Sequence, residues 1–208
     1  MSINIIGITG PSGAGKSVLC TYLAKKGVPV IDADEVYHSL LIKNSPCTLA
    51  LAKEFGEEIL SPDGTPDRKK LGAIVFSSDE KLKILNSIVL EFVIDKINEI
   101  ISSLEKEGQR TVVLDAPTLI ESGFSKECSS VLSVLSPKQD RVRRIVIRDS
   151  ITEEAALLRI NAQKSDEFYT ENSHHVIIND SCAESLYKAF EEIYGTELYT
   201  GACGGANE

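Results

Sequence analysis

Gly10-Pro11-Ser12-Gly13-Ala14-Gly15-Lys16-Ser17 has the spacing GxxxxGK[ST] of a phosphate-binding loop. Its flanks supply the context such a loop requires. Ile3, Ile5, Ile6 and Ile8 form a short β-branched run just before it, and Val18, Leu19, Tyr22 and Leu23 open a helical pattern just after. Strand, glycine loop and helix in that order turn backbone N–H groups toward an anion, and the helix N-terminus adds positive potential. The motif predicts that Ser12, Gly13, Ala14, Gly15, Lys16 and Ser17 hold the phosphates of a nucleoside triphosphate. Lys16 would reach the β- and γ-phosphates, and the Ser17 hydroxyl would ligate Mg²⁺. A glycine-rich turn with an exposed lysine is the bland alternative, and the flanking strand and helix argue against it.

Around that loop the chain is ordinary for a water-soluble domain. It has 208 residues, 42% hydrophobic and 25% charged, enough for one domain with small insertions and a real core. The net charge of −9 lacks the basic footprint of a nucleic-acid-binding surface. Cysteines stand at 20, 47, 128, 182 and 203 with no CxxC, which predicts free thiols in a reducing cytoplasm rather than a zinc site or disulfide framework. No signal peptide or membrane span is expected. The small, polar end of the chain, 197–208, is expected to be a flexible tail.

Strands are expected at residues 3–9, 28–31, 111–114, 131–135 and 176–178. Helices are expected at 15–26, 34–43, 47–57, 67–76, 79–107, 138–148, 153–163 and 182–194, with a turn at 61–66. Such alternation predicts an α/β protein with a mainly parallel sheet and helices on both faces, the three-layer P-loop NTPase type. The helical stretch between the second and third strands is too long for a simple crossover and reads as an inserted subdomain. The expected organisation is one kinase domain. Its core spans about 1–35, 110–136 and 173–196, with an acceptor-binding insertion at about 36–109 and a helical lid at about 137–170.

Asp32-Ala33-Asp34 closes the second strand, and ligands of open parallel sheets bind beyond the carboxyl ends of strands. If extended geometry persists, the two carboxylates face the same way. One would then take a proton from an acceptor hydroxyl while the other works through Mg²⁺. Asp34 reads equally as a helix N-cap. Asp115, ending the run Val112-Val113-Leu114, is a further metal candidate, or simply initiates the turn before Ala116-Pro117. Arg141, Arg144 and Arg148 share one helix face, with Arg143 pointing elsewhere. They are candidates to meet a γ-phosphate, or form a solvated face paired with Asp140 and Asp149. His174 and His175 have no ligand-spaced partners and are expected at the surface. Asn179, after the last strand, is a candidate for the adenine edge.

These stretches together resemble the dephospho-coenzyme A kinases. Residues 10–17 and Val30-Ile31-Asp32-Ala33-Asp34 resemble that family's opening. Asp63-Gly64-Thr65 with Arg68, Leu71 and Phe76, then Leu85-Asn86-Ser87-Ile88, resemble its middle. Asp115-Ala116-Pro117-Thr118-Leu119-Ile120-Glu121, Arg144 with Arg148-Asp149, and Arg159 with Gln163 resemble its later motifs. The resemblance implies transfer of the γ-phosphate of ATP to the ribose 3′-hydroxyl of dephospho-CoA, the last step of coenzyme A synthesis. It implies Asp34 as the base, Lys16 and Arg144 at the transferring phosphate, Asp34 and Arg68 on the acceptor, and Ser17 with Asp32 or Asp115 at Mg²⁺. The chain departs from the family pattern at Leu90-Glu91, where His-Pro is common, at Thr118, where leucine is usual, and at Arg141, where glutamine is common. Such a kinase would work as a monomer or weak homo-oligomer, with no nucleic-acid or membrane partner. Another P-loop kinase acting on a nucleotide is the alternative. A GTPase switch would need D-x-x-G after a strand and N-K-x-D, and the chain contains neither. A noncatalytic nucleotide-binding module would not need Lys16, Ser17, Asp32 and Asp34 together.

Overall fold

The run Asn4–Thr9 forms strand β1, and its last four residues are buried, as in a strand covered by helices on both sheet faces. The computed structural model describes residues 3–195 and 198. Strands β2 (Val30–Asp32), β3 (Thr111–Asp115), β4 (Ser130–Leu135) and β5 (His175–Ile178) complete a five-stranded sheet of order β2-β3-β1-β4-β5. β1 pairs in parallel with β3, Ile6 opposite Val113 and Ile8 opposite Asp115. On its other side it pairs in parallel with β4, Ile8 opposite Leu132, and β4 pairs in parallel with β5. The loop after β1 therefore leaves the middle of the sheet, at the carboxyl edge where the strand order reverses.

Helices α1 (Lys16–Lys25) and α9 (Ala183–Tyr194) bury Leu19, Leu23, Leu186 and Phe190 against Ile6, Ile8, Leu132 and Ile177. Helices α6 (Lys138–Asp149) and α7 (Glu153–Asn161) share a separate cluster of Val142, Ile145, Ala156 and Ile160. Thr152 caps α7 by accepting the Ala155 N–H at 3.3 Å. Helix α8 (Asp166–Glu171) packs on β4 and β5. It is absent from the sequence reading because six residues carry too little periodicity to register, although Ser165 caps it by accepting the Phe168 N–H at 3.3 Å.

Two compact units emerge, one drawn from the chain up to Ile31 and from Ser103 onward, the other Asp32–Ser102. The second holds α2 (Ala33–Leu40), α3 (Pro46–Phe55), α4 (Arg68–Val75) and all but the last turn of α5 (Asp79–Lys106). Its core is Cys47, Leu51, Phe55, Ile59, Leu71 and Val75. Helix α2 stops at Leu40, three residues before the expected end. Ser45 then starts α3, accepting the Thr48 N–H at 3.0 Å with Pro46 at the first helical position. Helix α5 runs through Leu90-Glu91 for 28 residues without a break, as a pair lacking proline allows. Gly108, at φ 85°, ends it.

No helix among the described residues is long and apolar enough to cross a membrane. Cys20, Cys47, Cys128 and Cys182 are free thiols. Cys203 and the expected tail at 197–208, apart from Leu198, lie outside the described residues.

Candidate active site

Between β1 and α1 the chain takes the backbone conformations a phosphate loop needs. Gly13 (φ 78°) and Gly15 (φ 109°) sit in the left-handed region. They also have no room for a side chain. A Cβ on Gly13 would lie 2.8 Å from the Arg141 carbonyl oxygen, and one on Gly15 would strike the Asn179 side-chain amide. Gly15 occupies the N-cap of α1, so the loop runs directly into a helix N-terminus, the end of a helix that favours an anion. The Lys16 ammonium folds onto the loop itself, donating to the Gly10 carbonyl at 2.7 Å and the Pro11 carbonyl at 3.4 Å. Ser17 is exposed in the first turn of α1.

Arg141, Arg144 and Arg148 of α6 do share a face, and that face lies against the loop. Arg141 donates from Nε to the Ser12 carbonyl and from Nη2 to Gln163 Oε1, each at 3.1 Å. Arg144 donates from Nη1 to the Gly13 carbonyl at 3.1 Å, the Ala14 carbonyl at 3.3 Å and Ser136 Oγ at 3.0 Å. Arg148 donates to Ser12 Oγ at 3.3 Å and to Asp149 at 2.7 and 3.0 Å. The hydrogen bond from Arg148 and the pairing with Arg159 hold the Asp149 carboxyl down to about 2. The solvated, paired alternative describes Arg143, 70% exposed and paired with Asp140, and in part Arg148, exposed and paired with Asp149; it does not describe Arg141, which is 4% exposed. Asn179 is buried and donates to the Ala14 carbonyl at 2.8 Å, so its side chain serves the loop backbone. His174 and His175 are exposed, as expected. His174 Nδ1 accepts the Val131 N–H at 3.0 Å, and His175 stacks edge-on against Tyr194.

Asp115 is buried at the carboxyl end of β3, in register with Ile8 two residues before the loop. A serine hydroxyl and a carboxylate are hard oxygen donors and suit Mg²⁺, which takes one or two protein ligands and fills its sphere with phosphates and water. No cluster of three or more His, Cys, Asp or Glu side chains that could hold a metal ion occurs among the described residues.

In the second unit the structure separates the roles of two carboxylates. β2 ends at Asp32 and α2 begins at Ala33, so the alternation expected to point Asp32 and Asp34 the same way does not continue. Asp32 is the N-cap: its Oδ1 accepts the N–H groups of Asp34 at 2.8 Å and Glu35 at 3.1 Å. Asp34 is therefore not the cap. It lies exposed in the first turn, its carboxylate without a hydrogen-bond partner among the described residues. One turn on, His38 shares its face at i+4. His38 Nδ1 lies 3.0 Å from Arg68 Nη2, which sets a guanidinium beside the helix that carries Asp34. Burial pushes the Tyr37 hydroxyl up, and Arg68 opposes it. The i+4 spacing of Asp34 and His38 is a signal readable in the sequence. The loop contacts of Gln163 and Ser136 carry none.

Comparison with known proteins gives the family and the fold. The family model described as dephospho-CoA kinase matches residues 4–185. A dephospho-CoA kinase of Fusobacterium nucleatum is 39% identical over 196 residues, 94% of this chain and 100% of the relative. Among solved structures, a Thermus thermophilus protein superposes with a TM-score of 0.80 at 31% identity, covering 93% of this chain and 97% of that one. The dephospho-CoA kinase of Campylobacter jejuni superposes with a TM-score of 0.70 at 27% identity, covering 95% and 98%.

Proposed function

Because the chain belongs to the dephospho-CoA kinase family, we propose that it moves the γ-phosphate of ATP to the ribose 3′-hydroxyl of dephospho-CoA with Asp34 as the base. The chain is thus an ATP-dependent kinase of coenzyme A biosynthesis. The observation that supports the assignment of residues is the division of labour at Asp32 and Asp34. With Asp32 capping α2, the exposed Asp34 carboxylate is left to accept a proton.

In this reading Asp34 takes the proton of the acceptor hydroxyl as its oxygen attacks the γ-phosphorus, and the bond to the bridging oxygen breaks to release ADP. Lys16 leaves the Gly10 and Pro11 carbonyls for the phosphate oxygens and offsets the charge spreading over them. Arg144 holds its charge against the Gly13 and Ala14 carbonyls, behind the phosphates. Arg148 is 55% exposed at the side chain and touches Ser12 Oγ, so it has room to meet the γ-phosphate as a forked donor. Arg68, steadied by His38, binds an acceptor phosphate. The Ser17 hydroxyl with Asp32 or Asp115 would hold Mg²⁺, which would offset the negative charge of the phosphates. Four free thiols support a reducing, cytoplasmic setting, with the enzyme a monomer or weak homo-oligomer.

Purified protein given ATP, Mg²⁺ and dephospho-CoA should release ADP and coenzyme A in equal amounts. Equal or greater turnover with nucleoside monophosphates would replace this acceptor with a nucleotide. Asp32 has its own test. Asp32→Ser keeps an oxygen cap and removes the carboxylate. It should raise the Mg²⁺ concentration for half-maximal rate severalfold and keep the melting temperature within about 2 °C. Asp32→Ala should lose a further ~1 kcal/mol of stability, about 2–4 °C. A Mg²⁺ dependence unchanged in Asp32→Ser makes Asp32 a cap only.

A further inference from the structure

Ser12 is held by side chains at both ends of its backbone. Its N–H donates to Gln163 Oε1 at 3.1 Å, and its carbonyl accepts from Arg141 Nε at 3.1 Å. The two clamping groups are themselves bonded, Arg141 Nη2 to Gln163 Oε1 at 3.1 Å. The Arg141 guanidinium is buried and also reaches Asp166 Oδ1 at 3.5 Å. Arg141 lies in the first turns of α6, Gln163 follows α7, and Asp166 opens α8. Two segments far from the loop in sequence, the start of α6 and the α7–α8 connection, thus meet at one of its residues, directly before Gly13.

We propose that Gln163 and Arg141 are positioning residues that clamp Ser12 and keep the loop in its ATP-binding form. Neither is a catalytic residue. A loop with glycines at 10, 13 and 15 has a wide choice of backbone conformations when unconstrained. Only one of them aims its amides at a phosphate, and affinity rises when that one is preorganised. Gln163 suits the task because one carbonyl oxygen, with two lone pairs, serves both the Ser12 amide and the buried guanidinium. Loss of that oxygen leaves a desolvated Arg141 short of an acceptor and frees the loop at residue 12. The position of the α7–α8 connection is thereby coupled to nucleotide affinity.

The inference rests on the reading that the loop binds ATP, so the test measures nucleotide binding without an acceptor. Calorimetric titration with Mg²⁺ and a non-hydrolysable ATP analogue should show Gln163→Leu binding about tenfold more weakly than wild type, which is about 1.4 kcal/mol. Gln163→Glu keeps an oxygen acceptor for Ser12 and Arg141 and should stay within about threefold of wild type. The KM for dephospho-CoA should not move in either variant, and the melting temperature of the ligand-free protein should stay within about 4 °C. Wild-type protein that fails to bind the analogue overturns the ATP reading itself. Wild-type binding with Gln163→Leu unchanged overturns the clamp, as does equal weakening in both variants accompanied by equal loss of thermal stability.

Discussion

Asp34→Asn lowers kcat with dephospho-CoA by about 10²–10⁴-fold, the span that a positioned general base contributes. Asparagine keeps the shape of the side chain and cannot take up the hydroxyl proton. The loss falls on kcat, because binding of ATP runs through the phosphate loop on residues 10–17. Stability changes little. Asp34 is exposed and has no hydrogen-bond partner among the described residues, and the cap of α2 is supplied by Asp32. What Asn removes from the fold is a negative charge in the first turn of a helix, about 0.3–1 kcal/mol, or about 1–4 °C for a chain of this length. Steady-state kinetics with both substrates, an ATP-binding titration and a thermal melt measure the three quantities. Unchanged turnover with a lowered melting temperature would return Asp34 to a structural role.

Lys16→Met lowers kcat by about 10²–10³-fold, the effect of deleting one preorganised donor from developing negative charge. It also weakens ATP binding, since an ammonium on the β- and γ-phosphates acts before and during transfer. Methionine preserves the apolar stem while removing Nζ, so the packing at the start of α1 survives. The variant gives up the bonds to the Gly10 and Pro11 carbonyls, worth about 1–2 kcal/mol together, and its melting temperature falls by about 2–8 °C. A kcat within threefold of wild type would exclude Lys16 from the transferring phosphate. The two variants separate by substrate: Lys16→Met changes the KM for ATP, and Asp34→Asn leaves it alone.

Much of the architecture is legible in the chain because its signals are local. Four isoleucines within residues 3–8 mark a strand. GxxxxGK[ST] marks the turn after it, and the apolar spacing of residues 79–107 matches α5 to within a residue. Helix α8 and the end of α2 at Leu40 are not legible, because six residues and a two-turn helix give too few positions for a period to show. At the site, the residue types are readable and their division of labour is not. Asp32 and Asp34 are both acidic and both near a strand end, and the sequence offers Asp34 as the cap. Which one caps depends on where the backbone turns from extended to helical, and in this fold it turns between Asp32 and Ala33.

The arginines of α6 show the same boundary. Their spacing alone puts Arg141, Arg144 and Arg148 on one face and Arg143 off it, since 3.6 residues per turn is a local property. What that face meets depends on long-range contacts. Packing of α6 on α7 through Val142, Ile145, Ala156 and Ile160 brings the face against Ser12, Gly13 and Ala14, more than a hundred residues away. Burial then turns Arg141 from a surface charge into a clamp on the loop backbone. The sequence by itself determined the kind of chemistry, a phosphate loop with acidic and basic groups in family order. Only the tertiary structure decided which carboxylate caps, which carboxylate stays exposed, and which arginines bond the loop. Those assignments depend on hydrogen bonds between segments whose separation along the chain hides their contact.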